Sequence, residues 1–412
     1  MSKLGKIFNR HPFPIVSLIV WFILILIITA GSIYWNKDDS PAVSVNPNLQ
    51  PTTALLARLT QSEEPEATPS ITPTSVQSQP VTPNPVPTWP AQEPYLGIWI
   101  SAEELARLPM SGAAWDNLKS AADQELDDPD ISDLNDSTDV YVLAKALVYA
   151  RTGQMQYRQE TINTIQEVMG TEEGSETLAL GRNLVSYIIA ADLINLPEAA
   201  PSLNEQFRTW LRRLLTEKMD DGRSLQETHE TRPNNWGTHA GASRAAISIY
   251  LGDTAELEQT ALVFRGWLGD RSAYRGFEYG RLDWQADPEN PVGVNPPGAV
   301  IEGHEVGGAL PEEMRRGGRF RWPPRRTSYA WEGLQGALVL AEILSRAGYS
   351  AWDWEEQALL RAVEFLYALD WPAEGDDLWQ VWLINQAYDA DFPALTPERP
   401  GKNMGWTDWT FR

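Results

Sequence analysis

Apolar residues recur at helical spacing along most of the chain after Tyr95. The pattern is clearest over 138–152, Thr138-Asp-Val-Tyr-Val-Leu-Ala-Lys-Ala-Leu-Val-Tyr-Ala-Arg-Thr152. It returns at 156–169, 176–196, 202–219, 234–251, 254–268, 328–347 and 352–369, and the spacing predicts a helix in each. Ser101-Ala-Glu-Glu104 reads as a capping box opening the first helix of this region. Breaks at Gly153, Gly252 and Gly348 divide the helices into pairs. Strand-like alternation is scarce. Repeated helix–turn–helix pairs without a strict repeat predict a mainly α domain, either an (α/α) toroid or an irregular helical array.

Two stretches interrupt this pattern. Residues 269–327 have little periodicity and are dense in Gly, Pro, Arg and Asp. A segment of that length inside a compact domain is uncommon and is usually functional or disordered. Its aromatic residues, among them Tyr274, Phe277, Trp284, Phe320 and Trp322, argue for order. The tail over 370–412 is likewise rich in Trp and Gly.

The N-terminal part has a different character. Residues 11–36 contain no Asp, Glu, Lys or Arg, and the apolar run from Pro14 to Trp35 is long enough to cross a bilayer. Lys3, Lys6 and Arg10 precede it, and Asp38 and Asp39 follow. The positive-inside rule then places the N-terminus in the cytoplasm and the remainder outside. Bulky Ile33, Tyr34 and Trp35, where a cleavage site would need small residues, favour an uncleaved anchor over a signal peptide. From Pro41 to Pro94 there are twelve prolines set among Thr, Ser, Gln and Val, a composition unable to bury enough apolar surface to fold. The expected organisation is a cytoplasmic start and transmembrane anchor (1–37), a disordered Pro-rich linker (38–94) and an extracellular helical domain (95–412).

Charge narrows the set of partners. With 33 Lys+Arg against 56 Asp+Glu, the net charge of -23 disfavours nucleic acid, whose binding draws on Lys and Arg. The chain has no cysteine, which excludes disulfides and thiolate metal sites.

Against that background two clusters stand out. The first is Arg232-Pro-Asn-Asn-Trp-Gly-Thr-His-Ala-Gly241, at the start of the helix over 234–251. Asn235 and His239 lie four apart and share a helix face, with Trp236 within the same turn. Asn234 equally suits a helix cap, and His239 a core position. The second is Arg315-Arg-Gly-Gly-Arg-Phe-Arg-Trp-Pro-Pro-Arg-Arg326, six arginines within twelve residues. Arginine grips carboxylate or sulfate in a planar fork and stacks on aromatic rings, here Phe320 and Trp322. Pairing with neighbouring acids such as Glu312 and Glu313 is the plainer reading. Tyr329, just beyond this loop, opens the next helix and is placed either in the core or as a proton carrier. His304 lies between the two clusters and shows no metal-ligand spacing. Glu374 and Asp376, beside Trp371 and Trp379, offer a carboxylate pair of the kind a glycoside hydrolase uses.

These motifs resemble the alginate lyase and chondroitin lyase superfamily of helical toroid polysaccharide lyases. The resemblance spans roughly 96–370 and rests on Asn234-Asn-Trp-Gly237, on Gly308-Ala-Leu-Pro-Glu-Glu-Met-Arg-Arg-Gly317, and on Tyr329. Alginate lyases of this type carry Asn-Asn-His-Gly, then Glu-x-x-Arg-Gly, then a tyrosine within one or two turns. The resemblance implies an incomplete (α/α) toroid of helical hairpins acting on an anionic polysaccharide. It implies that Asn235 and Arg316 neutralise a uronate carboxylate and that Tyr329 is the catalytic acid or base. Trp236 stands where those lyases have histidine, and the gap from Arg316 to Tyr329 is longer than usual. His239, on the same helical face, ranks first as the imidazole source. His304 is the alternative, because chondroitin-type relatives pair an Asn-Trp motif with a histidine from a later loop.

The implied chemistry is metal-independent β-elimination, for which Asn, Arg, His and Tyr are sufficient and neither metal nor organic cofactor is required. Donors on the uronate carboxylate stabilise the enolate-like transition state, a base takes the C5 proton, and an acid protonates the leaving O4. Asn234, Trp236, Arg315, Arg319 and Trp322 are candidate substrate-binding residues, and Trp331 is a further ring for stacking on sugars. Two other readings remain at this level: a glycoside hydrolase on a similar toroid, and a surface glycan-binding protein without catalysis.

Overall fold

The computed structural model describes residues 97–397 and 400–412. The expected anchor and Pro-rich linker lie outside the described residues. Among those described, no helix is long and apolar enough to cross a membrane.

The described chain is mainly helical. Its longer helices are α1 (Ala113–Ala122), α2 (Thr138–Thr152), α3 (Met155–Val168), α4 (Thr177–Leu193), α5 (Pro201–Thr216), α6 (Asn235–Leu251), α7 (Thr254–Leu268), α8 (Tyr329–Arg346), α9 (Trp354–Ala368) and α10 (Trp379–Tyr388). Each helix expected from periodicity is present with ends shifted by a few residues. The capping box at Ser101 and Glu104 forms as read. Gly153 and Gly252 end α2 and α6 in the left-handed conformation, where glycine meets no steric penalty. α9 departs from regularity at its start, where Glu355, Glu356 and Gln357 are left-handed.

Four helices form the centre. α2 packs on α4, α4 on α6, and α6 on α8. α4 is buried from Thr177 to Ala191 and α6 from Gly237 to Ser248, so neither has a solvent face. Close approach depends on glycine. A side chain at Gly336 of α8 would come within 2.4 Å of the His239 backbone nitrogen, and one at Gly181 of α4 within 2.9 Å of Ala240 nitrogen. The Ser243 hydroxyl donates to the Gly181 carbonyl at 2.8 Å, tying α6 to α4. α5 shows the contrasting amphipathic pattern, with Leu203, Phe207, Trp210, Leu211, Leu214 and Leu215 buried on one side.

The segment 269–327 is ordered but mostly irregular. It contains a two-stranded antiparallel hairpin, β1 (Val300–Ile301) and β2 (His304–Glu305), turned by Glu302 and Gly303 at φ 51° and 84°. A short helix, Pro311–Met314, and a tight turn over Arg315–Gly317 follow. The tail also folds. The rings of Trp409 and Trp115 lie 5.4 Å apart, and Phe411 meets Trp99 edge-on at 5.0 Å, which seats the tail against α1 and the segment before it.

Candidate functional site

The Asn-Asn-Trp-Gly turn is shaped by its glycine. A side chain at Gly237 would lie 1.8 Å from the Arg232 carbonyl oxygen, so only glycine lets the chain double back before entering α6. The Arg232 guanidinium covers the Trp236 ring at 4.0 Å from its centroid. Asn234 occupies the N-cap position, yet its side chain makes no capping bond.

Asn235 is buried and held by two glutamates. Its backbone N–H donates to Glu313, and its side-chain Nδ2 donates to Glu332 Oε2 at 3.3 Å. Its Oδ1 has no partner among the described residues. Glu332 also accepts from the Ser328 hydroxyl at 3.3 Å and faces Arg182 of α4 at 3.7 Å. Arg182 is itself buried, and desolvation is the largest influence on it, pulling its pKa down against the opposing pull of Glu332, Asp139, Asp377 and Asp376. Nδ2 carries two hydrogens, one of which Glu332 takes.

Glu313 reaches Asn235 by passing Gly333, where an added side chain would meet its Cγ at 3.0 Å. Burial pushes its pKa up to about 8, against the opposing pull of Arg316 and the Asn235 N–H. At neutral pH it is therefore predominantly protonated, and its charge does not cancel that of Arg316.

The two neighbouring arginines diverge. Arg315 pairs with buried Glu312 at 2.6 Å, and Glu312 also accepts the Gly280 N–H at 2.9 Å. Arg316 is exposed and places its guanidinium carbon 4.2 Å from the Tyr329 ring centroid. Tyr329 opens α8 one turn before Glu332. Asn235, Arg316 and Tyr329 are thus brought together through Glu313 and Glu332.

The two histidines occupy different settings. His239 has no exposed surface and lies one turn deeper in α6, its ring beside the Asn403 side chain. Burial, with Arg182 nearby, drives its pKa well below the usual histidine value. His304 lies on the hairpin and stacks on Trp322 at 4.8 Å and 11°. Arg319 and Trp322 are exposed on the loop after Arg316.

Other candidates fall elsewhere. Trp331 is buried and donates its indole N–H to the Trp371 carbonyl at 3.0 Å, which makes it a core residue rather than a sugar platform. Glu374 is exposed and paired with Arg326 at 2.9 Å, and Asp376 faces Lys402 at 3.9 Å. A surface depression of about 420 Å³ is lined by Asp123, Glu125, Lys145, Glu160 and Glu167 and holds no candidate residue. Its acidic lining suits an anionic sugar poorly.

Glu332 and Arg182 were not singled out by sequence, and Glu313 was named only as an ion-pair partner for the arginine loop. Arg182 carried a signal, as the single charged residue in the mostly apolar run from Leu178 to Ala191.

Comparison with known proteins adds one match. No curated protein and no solved structure matches the chain. The matching family model covers Asn234, Asn235, Trp236 and His239 and ends before His304, Arg316 and Tyr329. Its description is alginate lyase, it matches residues 92–277, and over that segment the chain is similar to the alginate lyase family of polysaccharide lyases.

Proposed function

We propose that this protein is a polysaccharide lyase that cleaves a uronic-acid-containing polysaccharide by metal-independent β-elimination. The observation that carries the reading is the meeting of Asn235, Arg316 and Tyr329, residues 94 positions apart at their extremes, around the neutral Glu313 and the paired Glu332. In this reading Arg316 and the second amide hydrogen of Asn235 bind the uronate carboxylate and stabilise charge that builds on it as C5 loses its proton. Tyr329 carries the proton between C5 and the leaving O4, steered by the guanidinium stacked on its ring. Glu332 would oppose a bound carboxylate, but Arg182 offsets its charge. His304 is the better placed of the two histidines to assist, because a base must reach its proton and His239 is sealed from solvent.

The succession α2, α4, α6, α8 at the centre, with α3, α5 and α7 interleaved in the chain between them, supports the incomplete (α/α) toroid as the architecture. The charge-free run from 11 to 36 and the proline-rich stretch after it support an anchored domain displayed outside the cell on a stalk.

A panel of uronate polymers incubated with the protein tests the assignment. Unsaturated product with strong ultraviolet absorbance supports elimination. New reducing ends without that absorbance support the hydrolase reading through Glu374 and Asp376, and binding without cleavage supports a non-catalytic glycan receptor.

A further inference from the structure

The arginine loop after Arg316 has more cationic capacity than the reaction centre uses. Among the described residues, Arg315 is committed to Glu312 and Arg326 to Glu374, whereas Arg319, Arg321 and Arg325 are exposed and enter no ion pair. In a chain of net charge -23, three unmatched guanidinium groups within seven residues run against the composition. Carboxylates are close along the chain, with Glu302 and Glu305 flanking His304 on the hairpin, and they too leave these arginines unpaired.

The loop is also built to hold those charges together. A side chain at Gly317 would meet the Arg325 carbonyl oxygen at 2.8 Å, so the two ends of the loop touch. A closed loop of this length keeps any two of its residues within about 14 Å, given about 3.4 Å per extended residue. Phe320 turns inward onto Trp284, ring centroids 4.8 Å apart, and its N–H donates to Asp283 at 2.6 Å. The Trp284 indole N–H donates to the Gly318 carbonyl at 3.3 Å. With Phe320 anchored, its neighbours Arg319 and Arg321 face solvent. Between them and Arg325 stands Trp322, 39% exposed, with the His304 ring stacked on it. Guanidinium groups interleaved with a flat aromatic surface match the two features of an anionic glycan, charged groups and apolar sugar faces.

We propose that Arg319, Arg321 and Arg325, with the Trp322–His304 stack, form a second binding strip that grips a stretch of polyanionic glycan beyond the residue that reacts. The strip selects a polymer charged on successive sugars, because a chain with one isolated uronate would leave it empty. The inference rests on the lyase reading for the identity of the polymer as a uronan, but not for the strip's preference for a glycan polyanion.

The test uses the full-length chain in detergent carrying Tyr329→Phe, so that binding is measured without turnover. The probes are polygalacturonate and alginate, with dextran as the uncharged glycan and duplex DNA as a non-glycan polyanion. Calorimetry at several salt concentrations is expected to show polyuronate binding that weakens with salt and no binding of dextran. Adding Arg319→Gln, Arg321→Gln and Arg325→Gln together should lower polyuronate affinity by roughly tenfold or more at low salt and flatten the salt dependence. Trp322→Ala should weaken binding with the salt dependence intact. Parental affinity in the triple variant, or duplex DNA held as tightly as polyuronate, overturns the proposal. The two readings fail separately. Polyuronate binding through the strip, with no unsaturated product from any polymer when Tyr329 is intact, removes the lyase and keeps the strip. Unsaturated product together with parental affinity in the triple variant removes the strip and keeps the lyase.

Discussion

The Arg316 guanidinium lies over the Tyr329 ring, its central carbon 4.2 Å from the ring centroid, although thirteen positions separate the two residues. The loop between them closes on itself at Gly317 and Arg325, so the long spacing in sequence becomes a short one in space. Tyr329→Phe preserves the ring and its stacking and removes only the hydroxyl. Turnover should fall by about 10²- to 10⁴-fold, the usual contribution of a positioned proton carrier, with an unchanged melting temperature. A phenylalanine variant with full activity would remove Tyr329 from the reaction.

Glu332 ties that tyrosine's helix to Asn235 and to Arg182, and its loss should register in both stability and activity. Glu332→Ala leaves the buried Arg182 without its carboxylate. Because Glu332 is partly exposed and the pair is 3.7 Å apart, the cost should be about 2–3 kcal/mol, below the range for a fully buried pair. Glu332→Gln keeps an acceptor for the Asn235 amide and should restore turnover more fully than stability. Denaturant unfolding and steady-state kinetics on the two variants separate these effects, and equal turnover in both would show that Asn235 does not depend on the bond.

The helices were legible because burial imposes a period. α2, α5 and α8 each repeat apolar residues at helical spacing, and Gly153 and Gly348 follow the ends of α2 and α8. The Asn-Asn-Trp-Gly turn and the arginine loop were legible because their composition departs from the acidic, helix-rich remainder. The connection between them was not. In a chain with 56 acidic residues, Glu313 and Glu332 look like surface residues until α6 and α8 are packed together and bury one of them against the Asn235 N–H. His239 shows the same limit from the other side. Its spacing from Asn235 is right for a shared face, but that face turns toward Gly336 and Gly181, where two helices close over it.

That closure predicts the effect of a single methyl group. In Gly336→Ala the new carbon would fall 2.4 Å from the His239 nitrogen, a backbone atom unable to swing aside. α6 and α8 would have to separate at the level of the candidate site. Overpacking of this kind costs about 1–3 kcal/mol, occasionally more. Gly170→Ala, where an added methyl meets nothing but the backbone is left-handed, tests strain without overpacking. Thermal unfolding of the two variants should show the larger loss at Gly336, together with reduced turnover there alone.

Glu313 gives a pH dependence whose sign follows from its burial. The folded-state value of about 8 stands above the value of 4.5 for an unperturbed glutamate. Below 4.5 both folded and unfolded chains hold the proton, and this group makes stability independent of pH. Between 4.5 and 8 the unfolded chain releases the proton while the folded chain retains it, so stability falls as pH rises and levels off above 8. A tenfold difference in proton affinity between the two states is worth about 1.4 kcal/mol, so the loss across the window is several kcal/mol. Glu313→Gln keeps an oxygen to accept the Asn235 N–H and has no proton to lose. Relative to the parent, the variant should therefore gain melting temperature steadily from pH 5 to pH 8.5. The same titration bears on binding: above pH 8 the ionised Glu313 competes with a uronate for Arg316, so KM should rise in the parent and stay flat in the variant. Parallel melting curves across that range would mean that Glu313 is already ionised near neutrality, and the charge of Arg316 would then be partly neutralised inside the protein rather than by substrate.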